Sequence, residues 1–512
     1  MLGAVAAVSA LAACSGSASS PGSAYASKAA AAATVRGGTA TLPVAVTRAP
    51  ATADTVLPDA APGAVTAAFA RSLFATAPVV VLSGTSGAAV RVAEADARAA
   101  HAPVLLPSQL SAVGLSQLAA SAKSFHPVAV LAEGLPAAWP RQLAARLSGV
   151  KVVGKPAALP ATQAPPPLSH LAVLVPAPAT PNAPIAAVTA TAQSAGATVV
   201  GMSGTDPRAD PAAIAVLSHV RPTGVIAVGA QFGPAARLAS RVTVAETGRQ
   251  LPGGGQVIFP GHRLVALYGH PGTPGLGVLG QQDLSASIAR ARRLAAAYRP
   301  LSRVPVVPAF EIIATVAEGS PGADGTYSYE TPVSDLLPWV RRATADGLYV
   351  VLDLQPGRAS LLSQAEHYQQ LLEMPDVGLA LDAEWKLQPG QKPLRQIGHV
   401  DISEVNGVAD WLAALTARHH LPQKLLVLHQ FQLAMLTGER HLDTGHDDLA
   451  IVIHMDGQGT PGVKQGTWNA VTAAAPPGVF FGWKNFLVKD HPMLTPGQTM
   501  TKAPTPVMIS YQ

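Results

Sequence analysis

Residues 377–385 read Val-Gly-Leu-Ala-Leu-Asp-Ala-Glu-Trp. The period of two along a strand puts Ala380, Asp382 and Glu384 on one face and Leu379, Leu381 and Ala383 on the other. The leucines suit a layer of covering helices. The small and acidic set suits the axis of a closed sheet. Seven comparable runs flank this one: Leu264–Gly269, Val306–Ile312, Tyr349–Leu354, Leu425–Gln430, Leu449–Asp456, Val479–Lys484 and Val507–Tyr511. Helical segments are expected over Ser285–Tyr298, Val333–Ala345, Ser360–Leu372, Glu404–His419 and Gly462–Ala474. In the fourth, Val405, Val408, Leu412 and Leu415 form one stripe, and Ser403 is the expected N-cap. Eight strands spaced by helices over residues 262–512 predict a (β/α)8, TIM-like barrel. The eighth strand stands last, so no eighth helix is expected.

Such barrels carry their chemistry at the carboxyl ends of the strands. The residues there are Tyr268 and His270, Glu311, Asp353 and Gln355, Asp382 and Glu384, His429 and Gln430, His454 and Asp456, Lys484 and Asn485, and Tyr511. Ala309 shares a face with Glu311, Val351 with Asp353, and Val452 with His454 and Asp456. Four strands therefore send carboxylates to one mouth. Crowded carboxylates repel, so at least one should hold its proton unusually tightly. Hydrolysis of a glycosidic bond needs that pairing of a protonated acid with an ionised partner. The candidate catalytic residues are Glu384, Asp382, Asp353, Glu311 and Asp456. Candidate substrate contacts are Tyr268, His270, Trp385, His429, Gln430, His454, Trp483 and Tyr511, with the two tryptophans expected to stack on sugar faces.

The segment Gly378–Trp385 resembles the Asp-x-Glu on the fourth strand of lysozyme-type and chitinase-type glycoside hydrolase barrels. The resemblance implies that Glu384 is the general acid and that Asp382 orients an N-acetyl group or supports Glu384. It covers one strand and the barrel topology.

Ahead of the barrel, residues 60–260 alternate short apolar runs with Ala/Leu/Arg-rich segments at helical spacing. Val79–Leu82, Val104–Leu106, Val128–Leu131 and Val150–Val153 would form one parallel sheet, with helices near Ala88–Ala100 and Ser111–Ala122. Leu171–Val175, Thr198–Val200, Gly224–Val228 and Gln256–Phe259 would form a second. The fold class expected is α/β, a doubly wound region of two units (about 75–155 and 168–260) followed by the barrel. The stretch from Val79 to Ala119, followed by "HPVAVLAEG" at His126–Gly134, resembles the cell wall-binding repeat of Gram-positive surface proteins. Gly253–Gly255 is expected to be a hinge between the two regions.

The chain of 512 residues has 13% charged residues, against about a quarter in ordinary soluble domains. The charge is divided: residues 1–260 hold 16 Lys and Arg against 8 Asp and Glu, and residues 261–512 hold 19 against 22. A net charge of +5 without a basic cluster excludes a dedicated nucleic-acid binder. The sole cysteine, Cys14, excludes intramolecular disulfides and multi-cysteine metal sites. Residues 1–13 are uncharged and end Leu11-Ala12-Ala13 before Cys14-Ser15-Gly16. They resemble the lipobox of a bacterial lipoprotein signal peptide, which implies lipid attachment at Cys14 and an extracytoplasmic, membrane-anchored protein. The Ala, Gly, Pro and Arg usage suits a GC-rich, actinobacterial-type source. Residues 14–59, rich in Ser, Gly, Ala and Pro, are expected to be a flexible tether.

The expected partners are cell wall polysaccharide or another glycan and, through lipid, the membrane, with no cofactor and no metal. Two other readings stand beside the glycosidase. One is a non-catalytic glycan-binding lipoprotein. The other is a metal-dependent hydrolase using His270, His429, His454, Asp456 and Glu384. Gly275-x-Gly277-x-x-Gly280 lacks an acidic residue about 20 positions on and reads as a loop over the mouth, not as a dinucleotide fingerprint. His441, Asp443, His446, Asp447 and Asp448 read as a solvated face.

Overall fold

The computed structural model describes residues 41–177 and 182–512. Cys14, the signal-like segment and the first part of the expected tether lie outside the described residues. The molecule is of mixed α/β type, with a closed barrel of eight parallel strands in its C-terminal part.

Two four-stranded parallel sheets precede the barrel. The first runs in the order Val104–Leu105, Val79–Ser83, Ala129–Glu133, Lys151–Val153. Val80, Leu82 and Val130 enter one apolar cluster, while Val79, Val81 and Leu131 enter another. Both faces are therefore covered, which explains why these runs show no alternation with polar residues. The second sheet runs Asp54–Leu57, Gly224–Val228, Leu171–Pro176, Thr198–Met202. Its edge strand comes from the stretch expected to be tether, and Gln256–Phe259 is not a strand. Four residues, Asp-Thr-Val-Leu, are too few to show a period. Only their pairing with Gly224–Val228 makes them a strand.

Residues 251–262 join the two regions as a pinned turn instead of a loose hinge. Gly253, Gly254 and Gly255 take φ of 96°, 96° and 71° in succession, a path closed to residues with a Cβ. The buried Gln256 amide donates to the carbonyls of Val244 (2.9 Å) and Arg249 (2.8 Å). Ile258 and Phe259 then join Leu251 in closing the amino-terminal end of the barrel.

The barrel strands are Arg263–Gly269, Val306–Ala317, Tyr349–Leu354, Val377–Asp382, Lys424–Gln430, Leu449–Met455, Phe480–Asn485 and Met508–Tyr511. The first pairs with both the second and the eighth, closing the sheet. The second strand overruns the barrel and pairs antiparallel with Ser328–Glu330. Helices Leu284–Tyr298, Val333–Ala345, Ile402–Arg418 and Pro461–Ala474 fall within one or two residues of expectation. Asp401, not Ser403, caps the third of these: its carboxylate accepts from the Ser403 amide at 2.9 Å. The expected helix 360–372 is interrupted at Tyr368, whose hydroxyl reaches the carbonyls of Ala314 and Thr331. No helix among the described residues is long and apolar enough to cross a membrane.

The lumen is layered. Leu264, Val307, Tyr349, Leu425, Ala450 and the half-buried Phe480 fill its lower part, above Ile258 and Phe259. Next come Ala266, Ala309, Val351, Ala380, Val427, Val452 and Met508. The small residues in that layer leave room for a polar layer above them.

Candidate functional site

Each of the eight strands contributes one polar side chain to the uppermost layer of the lumen: Tyr268, Glu311, Asp353, Asp382, His429, His454, Lys484 and Ser510. All are buried, the most exposed of them at 3%. At the centre, His429 Nε2 lies 2.9 Å from Glu311 Oε1 and 3.8 Å from Asp353 Oδ1. Its Nδ1 lies 3.2 Å from Asp456 Oδ2, close enough for an ion pair but bent out of hydrogen-bond alignment. Tyr268 donates its hydroxyl to Asp353 Oδ2 at 2.8 Å and receives the Gln355 amide at 3.3 Å. His454 Nε2 and Ser510 Oγ share a hydrogen bond of 2.7 Å. Gly482, the inward position before Lys484 on the seventh strand, pairs with His454, and any Cβ there would strike the His454 ring.

Burial penalises charge on every member, and the neighbours decide who keeps it. Burial pushes the His429 imidazole toward neutrality, but Glu311, Asp456 and Asp353 prevail and raise its pKa well above the usual value. Glu311 is driven up by burial and down more strongly by His429, His454 and Lys484, reaching about 2. Asp456 is likewise lowered, its burial offset by His429 and Lys484. Asp353 is raised to about 6, mainly by burial. Asp382 is raised well above the carboxylate range by burial, then by Glu384 and Asp353. His454 is lowered to about 4, mainly by burial.

Above this layer opens a cavity of about 360 Å³. Its polar walls include Tyr268, Gln355, Asp382, Glu384, Asp456, Gln458, Lys484 and Lys489, and its apolar ones Leu276, Trp385, Phe431 and Phe486. The fourth strand ends at Asp382, and a short 3-10 turn, Ala383–Trp385, carries Glu384 and Trp385 to the wall. Gly398 lies against that turn. Its amide donates to the Glu384 carbonyl at 2.6 Å, and a Cβ there would run into the Glu384 and Lys386 backbone. Glu384 is raised to about 7 by burial and then by Asp456. One carboxylate oxygen each from Asp382, Glu384 and Asp456 lie within 4.8 Å of one another. This trio is the group in the cavity able to hold a divalent cation by its donor chemistry, and Asp382 Oδ1 and Asp456 Oδ1 have no hydrogen-bond partner.

Of the sequence-expected residues, Glu384, Asp382, Asp456, Tyr268 and Trp385 line the cavity. Glu311, Asp353, His429 and His454 sit beneath it, sealed from solvent. Besides the sealed His429 and His454, four expected substrate contacts lie away from the cavity wall. Trp483 points outward into the helix layer, its ring tilted 57° against that of Trp468 at 5.4 Å, with its indole N–H on Asn485 at 2.9 Å. Tyr511 also points outward and pairs its hydroxyl with that of Tyr298 at 2.6 Å. Gln430 points outward to Glu439 at 2.9 Å. His270 is held by Thr273 and Thr331 in a separate recess with Tyr329 and Trp339, so it also leaves the expected metal set. Period two, applied through the seventh and eighth strands, separates Phe480, Gly482 and Lys484 from Trp483, and Met508 and Ser510 from Tyr511. That signal puts Lys484 and Ser510 in the lumen in place of Trp483 and Tyr511. The Gly275–Gly280 loop does cover the mouth, with Gly275 and Leu276 on the cavity wall. Gly277, at φ 126°, packs directly on the Gly269 backbone.

Comparison of the chain with protein-family models, with curated proteins and with solved structures gives no match.

Proposed function

We propose that the barrel is a glycoside hydrolase in which Glu384 is the general acid and Asp456 its ionised partner. The observation that carries this reading is their contrast within one cavity. Glu384 is held protonated to about 7, while Asp456, one of its oxygens within 4.8 Å, is held ionised by His429 and Lys484. A neutral carboxyl donates to the leaving oxygen, and the carboxylate stabilises or captures the developing oxocarbenium ion. Asp382, held neutral, supports Glu384 or orients a substituent of the sugar. Trp385, Phe486 and Phe431 offer apolar faces for sugar rings.

The rest of the reading concerns place. Residues 60–260 are taken as a doubly wound, wall-binding-like region, and Cys14 as the lipid anchor that holds the protein on the outer face of the cell membrane. The net positive charge of the first half favours anionic envelope polymers. The test is incubation of the mature protein with fractionated envelope glycans, read as new reducing ends. Cleavage by wild type and a loss of at least about a hundredfold in a folded Glu384→Gln variant are expected. Equal activity of the variant on every cleaved glycan would overturn the reading.

The carboxylate trio favours one second reading, a hydrolase that uses a divalent cation held by Asp382, Glu384 and Asp456. Activity abolished by a chelator and restored by added cation would select it.

A further inference from the structure

Three lysines of the barrel are almost fully buried, and two have oxygen partners. Lys424 donates to main-chain carbonyls, that of Val377 among them at 2.9 Å, and Lys464 pairs with Asp490 at 2.5 Å. The third, Lys484, is 3% exposed and differs. Among the described residues its ammonium makes no hydrogen bond, and no carboxylate oxygen lies within 4.0 Å of it. It lies over the Tyr268 ring, 3.4 Å from the centroid, and lines the cavity. A ring face recovers only part of an ammonium's hydration. The carboxylates of Glu311, Asp353, Glu384 and Asp456 act on it only from beyond ion-pair distance. A second ammonium, that of Lys489, stands on the same cavity wall. Lys484 and Lys489 lie 5.6 Å and 5.7 Å from the centroid of Phe486, which also lines the cavity.

We infer that the unit bound in this cavity carries an anionic substituent, a carboxylate or a phosphate, received by Lys484 with Lys489 at the rim. The inference rests on the glycan reading above and narrows its substrate class to acidic glycans. An anion entering here gives the buried ammonium the charge-assisted hydrogen bonds it lacks, while the sugar ring to which it is attached lies on Phe486. A neutral glycan would leave Lys484 unpaired and desolvated, so the site discriminates by penalty as well as by attraction.

The test uses the full chain and three probes: a uronic-acid oligosaccharide, the same oligosaccharide with its carboxyls reduced to alcohols, and a glycerol-phosphate oligomer. Binding is read from tryptophan fluorescence, to which Trp385 at the cavity wall contributes. At least one anionic probe should bind about tenfold or more tighter than the reduced one. Which anionic probe binds tells carboxylate from phosphate. K484M should abolish the preference, and K484R should restore it. K489M, at an exposed position, serves if K484M fails to fold, and should reduce the preference. Equal binding of charged and reduced probes, a preference that survives both K484M and K489M, or binding of no probe would overturn the inference. Cleavage is scored separately. Charge preference without new reducing ends overturns the hydrolase reading alone. Cleavage of charged and reduced glycans at equal kcat/KM overturns this inference alone.

Discussion

Glu384 and Glu311 are the same residue type in one barrel, yet burial and neighbours drive them in opposite directions, to about 7 and about 2. Glu311 faces the His429 imidazolium, whereas Glu384 faces Asp456 and Asp382. If Glu384 donates the proton, hydrolysis should fall about tenfold per pH unit above about 7, and Glu384→Gln should erase that limb of the profile. Stability carries the same signature with a defined sign. Glu384 binds its proton more tightly in the folded state than at the ordinary value of 4.5, so its contribution is complete below pH 4.5 and is lost as pH rises through about 7. Thermal melts should therefore show Glu384→Gln gaining on wild type between pH 4.5 and 7 and holding level above that window. Glu311 is lowered, so its contribution is present above pH 4.5 and vanishes as pH falls toward 2. A Glu311→Gln variant should lose most against wild type at neutral pH and least near pH 2, again by melting.

At the scale of the element, each barrel strand reads as an alternation between helix layer and lumen. The fourth strand shows it openly, because Asp382 follows Ala380 and stands between leucine and alanine. The seventh hides it behind two large aromatic residues, Phe481 and Trp483, both of which pack outward around Trp468. Gly482 lies between them because the lumen there is filled by the His454 ring. Gly482→Ala should force that ring off Ser510 and cost about 1–3 kcal/mol, measured by urea denaturation, with a loss of glycan binding that exceeds the loss of folded protein. The helix starts show how local the readable signals are. Asp401 outcompetes Ser403 as N-cap because its carboxylate reaches the Ser403 amide and hydroxyl together. Two neighbouring residues of the capping type do not by themselves say which does so.

For the whole molecule, the acids at 447–448 matter more than their loop context suggests. They read as a solvated face, but Asp447 accepts from Arg208 at 2.8 Å and from Arg241 at 2.8 Å and 2.5 Å, while Asp448 lies 3.7 Å from Arg208. Arg208 is 2% exposed and also pairs with Asp206 at 2.9 Å, so removing Asp447 leaves a buried cation with one close carboxylate fewer and Arg241 without its shortest partner. Asp447→Ala should destabilise the protein by about 1–3 kcal/mol, less than a fully unpaired buried charge costs because Asp206 still pairs with both arginines. In limited proteolysis, cleavage near the Gly253–Gly255 turn should quicken, because this network and Gln256 are what pin the region to the barrel.

The sequence alone determined the eight-strand count, the approximate strand positions, and the convergence of acidic residues toward the carboxyl ends of the strands. These follow from periods of two and 3.6, which short-range sterics impose on any chain. It did not determine the edge strand at Asp54–Leu57, the plug at Ile258–Phe259, or the ion network at Asp447, since each exists only through partners more than a hundred residues away. The tertiary structure also decided how the site is staffed. Closing the barrel put His429 among Glu311, Asp353 and Asp456, left Glu384 protonated beside an ionised Asp456, and left Lys484 facing the cavity without an anion. A side chain's charge inside a closed lumen depends on which neighbours share its low dielectric, and no local pattern along the chain encodes that.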